Sequence, residues 1–93
     1  MRRRLVLTPK FQRAFRKYAR NNLRLQTQIE ATLQHMEQDV FVAGLGTHKL
    51  SGNLAGLRAC SCGYDCRIVF VIEQEAGEEV IVLLDIGTHD EVY

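Results

Sequence analysis

Six residues in the second half of the chain have side chains that could move a proton or hold a phosphate: His48, Arg58, Asp65, Arg67, His89 and Tyr93. Such a set suits cleavage of an RNA strand without a metal. One group takes the proton from a 2′-hydroxyl, another donates to the leaving 5′-oxygen, and arginines neutralise charge on the phosphorane. Histidine serves either proton role, because a model imidazole titrates at about pH 6.5 and both forms are accessible near neutrality. Taken singly, each histidine reads more readily as an ordinary surface or core residue, and no pair is diagnostic. Density at the end of the chain adds weight: His89, Asp90, Glu91 and Tyr93 all fall within the five closing residues, behind the apolar run Val80 to Leu84 and a break at Gly87. A terminal segment frays unless something ties it down, so this group reads as the edge of a site. No Ser/His/Asp order, phosphate-binding glycine loop or zinc-protease motif supports acyl transfer, NTP hydrolysis or metalloprotease chemistry.

The elements that must position these groups follow from periodicity and turn chemistry. Arg4 to Thr8 reads as a short strand, and Thr8-Pro9 supplies an N-cap hydroxyl followed by proline at the first helical position. Phe11, Ala14, Phe15, Tyr18 and Ala19 form one apolar stripe, with Arg13, Arg16, Lys17 and Arg20 on the other faces. Asn21-Asn22 closes this helix and caps a second, which runs to about Asp39 with Leu25, Ile29, Leu33, Met36 and Val40 on its apolar face. After a glycine joint at Gly44-Leu45-Gly46-Thr47 and a loop from His48 to Asn53, strands are expected over Leu54 to Cys60, Cys66 to Glu73 and Glu78 to Ile86. In the middle strand Cys66, Ile68, Phe70 and Ile72 point one way, and Asp65, Arg67, Val69 and Val71 the other. The expected fold is α+β: an N-terminal strand, a two-helix hairpin, then an antiparallel β-meander with both helices on one sheet face. Residues 1–93 form one domain in this reading, with no repeat or linker.

Net charge is +1, yet residues 1–29 hold nine basic and no acidic side chains while residues 65–93 hold eight acidic and one basic. A basic half can attract a polyanion such as RNA, although a charged helix face can equally be a solvated one. The longest apolar runs are far shorter than the roughly 20 residues of a membrane helix, and Met1-Arg2-Arg3-Arg4 is followed by only three apolar residues before Thr8-Pro9. The expected location is the cytoplasm, with no membrane partner. Cys60, Cys62 and Cys66 make an odd set with C-x-C spacing, so reduced thiols are expected rather than a disulfide scaffold. A zinc site would need a fourth ligand, His48 or His89, for which spacing gives no rule; no metal or cofactor is expected.

The run His48-x-Leu50-x-Gly52, then Gly56-x-Arg58, Asp65-x-Arg67-Ile68-x-Phe70, Ile86-Gly87-Thr88-His89 and closing Tyr93 resembles the RelE/ParE superfamily of bacterial toxins, and within it the YafQ-like ribosome-dependent mRNA interferases. The resemblance spans essentially the whole chain, but its specific part begins at His48. It implies a type II toxin that cleaves mRNA in the ribosomal A site. By that analogy His89 is the general acid, His48 or Asp65 activates the 2′-hydroxyl, and Tyr93 stacks on or orients a base. Arg67 and Arg58 match basic strand positions that would contact the scissile phosphate, with Lys49 and Ser61 as further RNA contacts; pairing of Arg67 with Glu73 or Asp85 is the structural alternative. Implied partners are the 70S ribosome with its mRNA and a cognate antitoxin, in a toxin–antitoxin hetero-oligomer. Arg13, Arg16, Lys17 and Arg20, with Arg2 to Arg4, would grip ribosomal RNA through phosphates.

Two positions depart from the family pattern. Ser61 stands where it has another histidine, and Cys66 where it has a tryptophan after the aspartate. A serine hydrogen-bonds a phosphate but does not shuttle a proton near neutral pH. Two other readings share the fold: a ParE-like inhibitor of DNA gyrase that cuts no RNA, and a decayed toxin kept as a binding module. Clustered proton donors and acceptors favour the nuclease.

Overall fold

Thr8 makes the first junction, in the way that its place before Pro9 predicts. Its side chain accepts a hydrogen bond from the Phe11 amide at 3.1 Å, which caps the first helix, and its hydroxyl donates to the Leu83 carbonyl at 2.7 Å. One residue thereby fixes both where the helix starts and where it sits on the sheet. In this computed structural model, residues 3–93 are described. They form strand β1 (Arg4–Leu7), helices α1 (Pro9–Tyr18) and α2 (Leu23–Gln38), strands β2 (His48–Lys49), β3 (Arg58–Gly63), β4 (Cys66–Glu75) and β5 (Glu78–Gly87), and a closing helix α3 (His89–Val92).

The helix hairpin turns where the two asparagines stand. Asn21 takes the left-handed conformation with φ 56°, and the Asn22 side chain accepts from the Leu25 amide at 3.0 Å to cap α2. Phe11, Ala19, Ile29, Met36 and Val40 are buried against Cys60, Ile68, Phe70, Ile81 and Leu83 of the sheet, with Leu25, Leu33 and Phe15 packed partly against them. Both helices therefore cover one face of the sheet, as expected.

The five strands run in the order β1-β5-β4-β3-β2. β1 pairs in parallel with β5, from Arg4 opposite Val80 to Leu7 opposite Leu83, and the other pairings are antiparallel. Parallel pairing of β1 follows from the chain crossing the sheet through two helices before it returns. Among the described residues no helix is long and apolar enough to cross a membrane.

Besides α3, three features differ from the sequence reading. β3 starts at Arg58 rather than Leu54, because Gly52–Leu54 form a single 3-10 turn and Gly56 takes φ 93°, which turns the chain out of the extended conformation. A two-residue strand, β2, precedes it. The expectation of three reduced thiols is also corrected: Cys62 and Cys66 are joined as a disulfide across the β3–β4 hairpin, and only Cys60 is free. The two-residue turn Tyr64-Asp65 brings their Cα atoms to 5.0 Å, within the span a disulfide bridges. Hairpin geometry outweighs the compartment argument at this pair.

Cys60 faces the core, its sulfur 3.8 Å from that of Met36, and burial pushes its thiol from 9.0 up to about 12, with Arg67 opposing. A raised folded-state value stabilises the fold below the unfolded value, and that contribution is lost as pH rises through the folded one. The stability gap between wild type and Cys60→Ala is therefore expected to be constant below about pH 9 and to narrow from there to about 12. Urea midpoints measured across that range check it; the expected slope is on the order of 1.4 kcal/mol per pH unit.

Candidate active site

The site is assembled on the sheet face opposite the helices, where the alternation of three strands converges. Cross-strand partners share a face. His48 lies opposite Ala59, Ala59 opposite Val69, Ser61 opposite Arg67, and Arg67 opposite Gly87. Arg58, three residues from Ser61, lies opposite Lys49 and Phe70, and Phe70 is fully buried under the helices. Arg58 and Lys49 therefore belong to the helix side, where the Arg58 guanidinium sits 5.3 Å above the ring of the exposed Phe41. The structure brings His48, Ser61, Asp65, Arg67, His89 and Tyr93 together and leaves Arg58 and Lys49 on the other face.

The Gly-Thr-His sequence is a helix start. Thr88 is the N-cap of α3: its side chain accepts from the Glu91 amide at 3.3 Å, and the Glu91 carboxylate accepts from the Thr88 amide at 2.9 Å. This capping box satisfies two backbone donors that so short a helix cannot pair internally. Glycine at 87 lets α3 fold back closely, because a Cβ there would lie 3.0 Å from the Glu91 carboxylate and 3.3 Å from its Cβ. His89 is the first residue of this helix. Its amide donates to the Asp65 carboxylate at 3.1 Å, which ties α3 to the β3–β4 hairpin.

Asp65 is held from two sides. It stands at the hairpin turn with φ 51°, a conformation that aspartate tolerates better than most residues. Its carbonyl accepts from the Tyr18 hydroxyl at 3.1 Å while its carboxylate takes the His89 amide. Tyr18 carries the end of α1 onto the site. Its apolar spacing marks it as core, and its reach to the hairpin is a role that periodicity does not reveal. Burial raises the Tyr18 phenol above its ordinary value, and the carboxylates of Asp65 and Glu91 act in the same direction.

Tyr93 links the two histidines. The ring of His89 meets it edge-on with centroids 4.4 Å apart, and the ring of His48 does so at 6.4 Å. The Tyr93 hydroxyl lies 3.5 Å from His48 Nε2. At the other side of the imidazole, His48 Nδ1 is 3.0 Å from the Gly46 carbonyl. A carbonyl only accepts, so Nδ1 carries a proton in this contact, and the lone pair of a neutral ring so held lies on Nε2. Gly46 adopts φ 60°, which turns that carbonyl toward the ring. Burial raises the Tyr93 phenol and Arg67 opposes this, so the hydroxyl remains a donor at neutral pH.

Arg67 is folded against the hairpin: its Nη1 donates to the Cys66 carbonyl at 2.9 Å, to the Gly63 carbonyl at 3.3 Å and to Ser61 Oγ at 3.4 Å. No pairing with Glu73 or Asp85 forms. His89 Nδ1 is 3.6 Å from the Asp90 carboxylate, an exposed pair that solvent screens. Arg13, Arg16, Lys17 and Arg20 are exposed along and just beyond α1. Arg3 and Arg4, by contrast, pair with Glu79 and Glu75, and Arg2 lies outside the described residues. Part of the charge asymmetry is thus settled within the fold.

This set can accept a proton at one imidazole, supply one at another, and hold an anion at the guanidinium between the strands. The model of the family described as "Bacterial toxin of type II toxin-antitoxin system, YafQ" matches residues 3–93. The chain belongs to the YafQ toxin family. Solved structures agree on the fold of these toxins. YafQ from Escherichia coli BL21(DE3) superposes with a TM-score of 0.79 at 12% identity, covering 98% of each chain. A YoeB/ParE toxin from Agrobacterium tumefaciens gives 0.75 at 17% identity, covering 92% of this chain and 98% of that one. The E. coli DinJ–YafQ toxin–antitoxin complex gives 0.71 at 13% identity, covering 100% and 99%. At such identities the structures carry the YafQ fold alone. No curated protein matches the sequence.

Proposed function

We propose that this YafQ-family toxin is an endoribonuclease that cuts mRNA in the ribosomal A site and so stops translation in the cytoplasm. The observation that carries this reading is the pair of imidazoles held on one tyrosine, one of them fixed with its Nε2 lone pair exposed. His48 Nε2 takes the proton of a 2′-hydroxyl, which attacks the adjacent phosphorus. His89, protonated, gives its proton to the departing 5′-oxygen. Arg67 neutralises the phosphorane, and the products are a 2′,3′-cyclic phosphate and a free 5′-hydroxyl. Tyr93 orients the nucleotide between the two rings. The cycle needs no metal.

Asp65 acts in this scheme as a positioning residue, since its carboxylate is engaged with the His89 amide. Asp65→Asn keeps an acceptor oxygen and is expected to retain activity within about tenfold, whereas Asp65→Ala leaves α3 untied and is expected to lose roughly 100-fold or more. Single-turnover cleavage rates check the difference; equal losses in both variants would make Asp65 a base. Ser61 holds Arg67 and the hairpin. Arg58 and Lys49 contact RNA phosphates away from the cut, and Arg13, Arg16, Lys17 and Arg20 dock on ribosomal RNA. A cognate antitoxin completes a hetero-oligomer, by analogy with the E. coli complex.

Expression of the toxin in growing cells tests the function. Growth arrest with cleaved mRNA and no DNA-damage response supports the ribonuclease. DNA-damage signalling with intact mRNA would instead identify a gyrase inhibitor, and absence of any arrest by a folded protein would identify a binding module.

A further inference from the structure

Tyr64 has no part in the scheme above, yet it stands fully exposed beside the site. Its side chain is fully exposed, at 101% of the reference area, on the two-residue turn that also carries Asp65. Single exposed aromatics are common and mean nothing alone. The surroundings of this one are specific: Tyr64 lines a cavity of about 640 Å³ together with Ser61, Gly63, Asp65 and Arg67, and so shares its walls with the anion-holding guanidinium. The turn is also rigidly held. The Tyr18 hydroxyl and the His89 amide fasten Asp65, and the Cys62–Cys66 disulfide closes the hairpin behind it. An aromatic face on a fixed turn loses little entropy when it meets a flat partner. Cys66, where the family pattern places a tryptophan, is 1% exposed and offers no ring to the site.

The geometry points to Tyr64 as an RNA-binding residue that stacks on one unpaired nucleobase next to the phosphate held by Arg67, an assignment that rests on the ribonuclease reading. Stacking on an aromatic face contributes about 1 to 3 kcal/mol per base, or roughly 5- to 150-fold in affinity. The base belongs either to the mRNA or to the ribosomal RNA around it; the chemistry is the same, and the test separates the sources.

Wild type, Tyr64→Phe, Tyr64→Leu and Tyr64→Ala are compared for binding to empty 70S ribosomes, binding to ribosomes carrying a message with a 2′-O-methyl block at the cut site, and distribution of cuts on an unblocked message. The expected result is retention by Tyr64→Phe and a loss of roughly 5- to 150-fold by both Tyr64→Leu and Tyr64→Ala. A loss confined to programmed ribosomes, with altered cut sites, assigns the base to the mRNA. An equal loss on empty ribosomes assigns it to ribosomal RNA. Wild-type binding and cutting by Tyr64→Ala would overturn the proposal and leave the ribonuclease intact. If wild type binds blocked messages through Tyr64 but cuts none, stacking stands and the ribonuclease reading fails.

Discussion

A His89→Ala protein is expected to fold as wild type does and to lose roughly 10²- to 10⁴-fold in mRNA cleavage, the range that a positioned general acid supplies. The two halves of this expectation come from different atoms of one residue. What ties His89 to Asp65 is its backbone amide, which alanine keeps, so α3 stays docked on the hairpin. The imidazole itself is more than half exposed and meets only the edge of Tyr93 and the exposed Asp90. Removing it therefore changes stability by less than about 1 kcal/mol. Thermal melts and single-turnover cleavage on programmed ribosomes separate the effects. A folded His89→Ala toxin that still arrests growth at the wild-type dose would remove the general acid from the scheme.

His48→Ala is expected to cost a comparable roughly 10²- to 10⁴-fold in single-turnover cleavage. In the proposed scheme His48 is the proton acceptor, and alanine leaves no base at that place. The tautomer underlies the claim. With Nδ1 donating to the Gly46 carbonyl, only Nε2 can take the 2′-hydroxyl proton, and the Tyr93 hydroxyl is within reach to donate to it at rest. His48→Gln, which does not act as a base near neutral pH, is expected to be as slow as alanine. If it instead restored activity, His48 would be a hydrogen-bonding residue and some other group would be the base. Because the two histidines act on one reaction, the double variant is expected to be little slower than either single one.

How far the sequence foretells this site depends on which physical signal marks each residue. The helices were legible because Phe11, Ala19, Ile29 and Met36 recur at helical spacing and end buried together. The caps at Thr8 and Asn22 were legible because their side chains act locally, on an amide three residues away. α3 is not legible, since four residues carry no periodicity. Its one signal is the spacing of Thr88 and Glu91, a capping box that appears here after a strand rather than before an apolar run.

Relations across strands were the least legible. Asp65 and His89 sit 24 residues apart, and Tyr18 reaches Asp65 over 47, so neither bond leaves a mark in local pattern. The separation of Arg58 from Arg67 depends on how β3 pairs with β4. The register that sets Arg58 opposite Phe70 and Ser61 opposite Arg67 leaves no mark in either strand's own alternation. The disulfide is hidden for a related reason: compartment argues for reduced thiols, whereas a two-residue turn places Cys62 and Cys66 within reach. Site residues whose motifs are contiguous, Gly87-Thr88-His89 above all, were readable from likeness even where their structural cause was not.

The most direct measurement is the mapping of mRNA ends at nucleotide resolution after purified, antitoxin-free toxin is added to a defined message with and without 70S ribosomes. Cuts are expected only with ribosomes, in register with the reading frame, each leaving a 2′,3′-cyclic phosphate and a 5′-hydroxyl. A folded toxin that leaves the message whole on translating ribosomes would contradict the ribonuclease reading.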